Sequence, residues 1–191
     1  TLELMNPTLH RMHSPHNELV LSMARSAIDP DGSQTPPNIE SAPWLYATQA
    51  CFVTLWENKK LRGQYGNVRA ERPLIEHLQH NARQAAFHDP RFKPINAEQL
   101  LSLQIQVSLL SALTAIDCTT EKQVLDQLTP GTDGVFFRYG QHASNFLPTQ
   151  WEVHPDPSLF IAYLKQKAGL PPNFWLPGIE IHSYTVKDYL D

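Results

Sequence analysis

Hydrophobic and polar positions along this chain change period several times, and each change predicts an element. In NELVLSMARSAI, residues 17–28, Leu19, Val20, Met23, Ala24, Ala27 and Ile28 recur at helical spacing behind a capping Asn17. PLIEHLQHNARQAAF, 73–87, begins with a helix-compatible proline and keeps Leu74, Ile75, Leu78, Ala82, Ala85 and Ala86 on one face. Asp156 caps a further helix starting at Pro157, with Leu159, Phe160, Tyr163 and Leu164 on one side and Gly169 after its end. Between these, the period drops to two. ACFVTLWE, 50–57, reads as a strand that turns at Asn58-Lys59-Lys60 and pairs with the chain from Leu61 onward. LQIQVSLL, 103–110, puts Leu103, Ile105, Val107 and Leu109 on one face and Gln104, Gln106 and Ser108 on the other. VFFRY and ASNFLP flank a Gly140-Gln141-His142 turn as a second hairpin, and IEIHSYTV, 179–186, alternates as the last strand.

Shorter signals fill the gaps. Asn96 with Gln99 has the form of a capping box, and TEKQVLDQL, 120–128, is a short helix stopped by Pro130-Gly131. Residues 29–43 are a loop by composition, and DPRFKP, 89–94, is bounded by prolines. Sixteen prolines in 191 residues favour short elements. Helices and strands mix without a βαβα rhythm, so the expected fold is α+β: antiparallel sheets with flanking helices. Residues 1–16 read as a loose arm, with His10, His13 and His16 solvated, and residues 17–191 as a single domain.

Composition narrows the function. A formal net charge of −4 and the absence of a basic, aromatic-studded stripe argue against nucleic acid as partner. No apolar run approaches the roughly 18 residues of a spanning helix, and no basic segment leads into an apolar one at the start, so the expected setting is the cytoplasm, away from membrane. Cys51 and Cys118 lack metal-ligand spacing and read as reduced thiols. Neither a metal nor a cofactor motif is present, and no GxSxG, HExxH or phosphate-loop pattern marks a catalytic residue.

FVTLWENKKLRGQYG, PLIEHLQHNARQAAFHDPRFKP, IQVSLLS and FLPTQWEVHPDPSLFIAYLKQKAGLP, in this order and spacing, resemble the AMMECR domain family, also called AmmeMemoRadiSam system protein A. The resemblance runs from about residue 18 to residue 186. It implies a compact α+β protein with a larger and a smaller lobe and, as partners, a Memo-like protein and a radical-SAM protein. It implies no established reaction. The family's usual LRGCIG segment has a cysteine where this chain has Gln64 and an aliphatic residue where it has Tyr65, and many members carry glutamate at the position of Gln106. Glutamine neither attacks a substrate nor carries a proton at neutral pH.

The candidate site centres on LRGQYG. Gly63 and Gly66 permit a tight turn or a close approach, and Arg62 beside them is either a hairpin salt-bridge residue or a clamp for a small anionic ligand. Gln64 and Gln106 would share a polar, non-titrating pocket if their strands are neighbours. Tyr65 packs on the sheet, and Asn145 is either a turn residue or part of the same cleft. Asp89 and Arg91 read as a lock on the proline-bounded loop, and His154 and His182 as a loop and a sheet residue. The expected function is a ligand-binding or adaptor component. The alternative is an enzyme acting on a small anionic substrate, with Arg62 as the clamp.

Overall fold

The computed structural model of the chain describes residues 15–191; His10 and His13 lie outside them. In chain order the elements are α1 (Pro15–Ala27), β1 (Cys51–Glu57), β2 (Lys60–Gly66), α2 (Leu74–Arg83), α3 (Ala97–Ser102), β3 (Gln104–Leu110), β4 (Thr114–Ile116), α4 (Glu121–Gln127), β5 (Gly134–Tyr139), β6 (His142–Phe146), α5 (Pro157–Lys167), β7 (Glu180–Tyr184) and β8 (Val186–Leu190). They form two sheets, with strand orders β2-β1-β3-β8 and β4-β7-β5-β6. Antiparallel sheets with flanking helices make this an α+β fold, as the alternating and helical periods predict. The chain divides into two compact units, one ending at Leu110 and regaining Lys187–Asp191, the other Ser111–Val186. No described helix is long and apolar enough to cross a membrane.

The first unit's core lies on one face of its sheet. Val53, Leu55, Ile105, Val107 and Leu109 pack with Val20, Met23 and Ala24 of α1 and Leu74, Leu78 and Ala82 of α2. Every second strand residue therefore faces helices, and its neighbours form the polar face. The β1–β2 hairpin closes through Asn58 and Lys59, both at positive φ (51° and 62°), a turn whose twist suits the flanking strands. Helix α2 ends differently from the expectation. After Arg83 the helix widens into a π-helical turn, Gln84–His88, and the Ala86 carbonyl at its end accepts the Ile95 N–H at 3.0 Å. Arg25 joins α1 to the start of β3: it donates to the carbonyls of Leu100 and Leu103, at 2.9 Å each, and pairs with Asp191.

The second unit buries Phe137, Phe160, Ile161, Leu164 and Trp151 together, with Trp151 stacked on Phe160 at 3.7 Å. Asp156 caps α5 as expected, accepting the Leu159 N–H at 3.0 Å. Two strands escape the sequence reading. β4 spans only three residues, too short to show a period. The alternation of residues 179–186 does not end there: the chain breaks pairing at Thr185 and resumes as β8 beside β3. The strand read as the last is thus followed by another.

Lys165 on α5 has no exposed surface, and its ammonium donates to Glu121 of α4 at 2.9 Å. Removing Glu121 strands that buried ammonium, whereas Glu121, with 33% of its side chain exposed, keeps contact with water when Lys165 is removed. Glu121→Ala should therefore cost about 3 kcal/mol, and Lys165→Met, which removes the charge and keeps the volume, about 1 kcal/mol or less. Urea unfolding of the two variants checks this; equal losses would contradict it.

Candidate functional site

The LRGQYG segment is β2, an edge strand, and each residue in it meets a different demand. The pairing of β2 with β1 slips between Leu55 and Trp56: Leu55 faces Gly63 and Trp56 faces Leu61. Arg62 is the extra residue of this bulge. A bulge turns a side chain out of the strand's alternation, and here the guanidinium leaves the sheet for the DPRFKP loop. It donates to the Lys93 carbonyl at 2.9 Å, lies 3.4 Å from the Gln99 side-chain oxygen and sits 5.8 Å from the centre of the Phe92 ring. Its other terminal nitrogen, Nη1, is buried without a partner among the described residues.

Gly63 faces the helices. A Cβ there would stand 2.2 Å from the carbonyl oxygen of Ala85 in the π-helical turn, so no other residue fits without moving that backbone. Gly66 is required for the opposite face, where the Phe52 ring crosses it and would lie 2.2 Å from a Cβ. Tyr65 is 41% exposed and meets His80 of α2 edge-on at 5.9 Å between ring centres. Gln64 points to the polar face, and its backbone N–H donates to Asp89 at 2.9 Å.

Asp89 is 6% exposed. It also accepts the backbone N–H and the guanidinium of Arg91, at 3.0 Å and 2.8–3.0 Å. Burial alone would push its carboxyl up. The hydrogen bonds from the Arg91 side chain, the Arg91 backbone and Gln64 outweigh that and hold it at about 2. The lock expected between Asp89 and Arg91 is present, and it extends to the hairpin.

On the polar face, Gln64 lies opposite Thr54, and Thr54 opposite Gln106. The strands of the two glutamines are not adjacent; β1 runs between them, and Thr54 bridges the row by accepting from the Gln64 amide at 3.0 Å. Gln106 continues it, accepting from the Trp56 indole at 2.9 Å and donating to Asp188 of β8 at 3.1 Å. Ser108 also donates to Asp188. Thr54, Gln106 and Ser108 are buried.

The structure thus brings Gln64 and Gln106 into one polar row and sends Arg62, Gly63 and Tyr65 elsewhere. Asn145 lies in the second unit, where its side-chain oxygen accepts from Tyr184 at 2.6 Å and its carbonyl from Lys167 at 2.8 Å. His154 stacks on Tyr163 at 4.2 Å, and His182 sits on β7 opposite Phe136. The sequence reading passed over Thr54 and Trp56, although alternation along β1 puts them on one face. Asp188 was not legible, because β8 was unseen.

A family model, AMMECR1, matches residues 21–189. The chain belongs to the AMMECR1 family. The AMMECR1 chain is 36% identical to the protein MJ0810 of Methanocaldococcus jannaschii over 155 residues, 76% of this chain and 75% of that one. It is 30% identical to a protein of Thermococcus gammatolerans over 191 aligned residues, 94% of this chain and 92% of that one. The crystal structure of PH0010 from Pyrococcus horikoshii shares the fold with a TM-score of 0.81 at 27% identity, covering 90% of this chain and 89% of that one.

Within this AMMECR1 domain, thiol chemistry has no poised group at the hairpin. Cys51 is buried on the helix-facing side, and burial pushes its thiol up to about 12 against a weaker hydrogen bond from Asn81. Cys118 in the other unit is also raised by burial. Among the described residues no group of three or more His, Cys, Asp or Glu is placed to hold a metal ion.

A second polar network fastens the end of β2. Asn81 donates to the Cys51 carbonyl at 2.8 Å and to Asn67 at 2.9 Å, and His77 Nε2 accepts the Arg72 N–H at 3.2 Å. Burial, and then the charge of Arg72, lowers His77 from its ordinary 6.5. His77 therefore takes up a proton at lower pH in the fold than in the unfolded chain, where its ordinary value is 6.5. Its contribution to stability is full above that pH and declines as pH falls toward the lowered folded value. Comparing unfolding at about pH 5 and about pH 8, His77→Gln should narrow the difference seen in the parent chain. An unchanged difference would remove His77 as a source of acid sensitivity.

Proposed function

We propose that this AMMECR1 chain is a binding component, taking a small ligand or serving as an adaptor, and that it works with a Memo-like and a radical-SAM partner. One observation carries the reading. The row Gln64–Thr54–Gln106 is built of mutually oriented polar groups that do not titrate near neutral pH. Its two amides neither attack a substrate nor carry a proton, and recognition needs only the shape and polarity they have. The partners come from the family resemblance. The hairpin supports an adaptor role by presenting Tyr65, exposed and amphipathic, on an edge strand braced by the Asp89 loop.

A second reading, an enzyme acting on a small anionic substrate, is favoured by Arg62 Nη1, which is buried without a partner. It requires that nitrogen to become uncovered, against the bonds that hold the same guanidinium to Lys93 and Gln99.

Capture from native lysate tests the binding reading. The parent chain should recover a Memo-like and a radical-SAM protein, and the folded double variant Gln64→Ala/Tyr65→Ala should recover about tenfold less. Equal recovery by both baits, or none by either, would contradict an adaptor surface on the hairpin.

A further inference from the structure

Asp188 puts a carboxyl group on the polar face, and three other side chains define its geometry. The Trp56 indole N–H is a donor only, so the Gln106 oxygen must be the atom that accepts it. That orientation leaves the Gln106 NH2 directed at Asp188 Oδ1, 3.1 Å away. The Ser108 hydroxyl donates to the same oxygen. Among the described residues, Oδ2 takes no hydrogen bond and no cation pairs with the carboxylate. Oδ2 is also not among the fully buried atoms that lack a partner.

This arrangement explains the residue at position 106. The site must accept from an indole and donate to a carboxylate at once, and a primary amide does both. A carboxylate at 106 would accept from Trp56 but would face Asp188 with a like charge and no donor. Gln106 therefore accompanies an oriented Asp188 carboxyl group.

We propose that Asp188 anchors a ligand through a cationic N–H group, a primary ammonium or a guanidinium, received at Oδ2. The proposal rests on the reading of the polar face as a recognition surface and assigns the ligand's chemistry there. The donors that the row is seen to use are turned inward: Gln64 to Thr54, Gln106 and Ser108 to Asp188, Trp56 to Gln106. What remains at Asp188 is an acceptor with a negative charge. A ligand matched to it brings donors and positive charge, and an anion is repelled. A divalent metal is a poorer match, because no cluster of further acidic or imidazole groups surrounds the site among the described residues.

The Trp56 indole reports on the site, being coupled to Asp188 through one amide. Its N–H resonance, assigned with Trp56→Phe, is followed by NMR while methylguanidinium, tetramethylammonium or inorganic phosphate is added. Methylguanidinium should produce a saturable shift, and tetramethylammonium, with the same charge and no donor, should not. In Asp188→Asn, nearly the same size and shape, the affinity should fall about tenfold or more. Ser108→Ala, which loosens the brace and keeps the charge, should weaken it less. The other indole resonances verify that each variant is folded, and if Asp188→Asn is not, a loss of affinity in Ser108→Ala relative to the parent chain decides. Equal shifts by both cations, undiminished affinity in the variants or no shift at all would overturn the proposal. A saturable shift with phosphate alone would overturn the cationic class while leaving the face a binding surface. The hairpin variant of the capture experiment leaves Asp188 untouched, so the two readings fail separately.

Discussion

Asp89 gives one carboxylate oxygen to the Gln64 N–H and uses both to hold Arg91, and so ties an edge strand to the loop that covers it. An edge strand with open backbone donors invites pairing with another chain. Here the exposed donor is taken by a buried carboxylate, and the neighbouring Arg62 bulge reaches into the same loop. With the strand fixed in this way, Gly63 can approach the Ala85 carbonyl and Gln64 is set opposite Thr54. The polar row across the sheet depends on that register, since a slip of one residue would turn Gln64 to the helices.

The polar row has its own logic. An amide at 64 and another at 106 give Thr54 and Asp188 donors where an acid would give charge. The side chains are oriented by partners that can play only one role, an indole at one end and a carboxylate at the other. Such a row is suited to recognition by fixed geometry. Covalent chemistry would need a different group, and the thiol nearest in sequence order, Cys51, lies on the helix-facing side with its pKa pushed up by burial.

Much of the fold was legible because its periods are clean. The helix-facing residues of β3, the Asn96–Gln99 box and the Asp156 cap occur where the residues predict them. The candidate site was legible as a place and less so as an arrangement. Two glycines beside an arginine announce close backbone approach, but that the Ala85 carbonyl is what approaches Gly63 depends on α2 ending in a π-helical turn, a tertiary outcome that no local pattern carries. The bulge at Arg62 likewise separates side chains that simple alternation would place together. β8 was lost because its alternation continues that of β7 across Thr185, and with it went Asp188, which completes the polar face.

The measurement closest to the centre of this account is the acid titration of the Asp89 carboxyl carbon by NMR, read alongside the Gln64 amide. The account predicts a midpoint at about 2, with the Gln64 N–H shifting along the same curve as its acceptor is protonated. A midpoint at the ordinary value of 3.8, or a Gln64 amide indifferent to it, would contradict the joint between loop and hairpin.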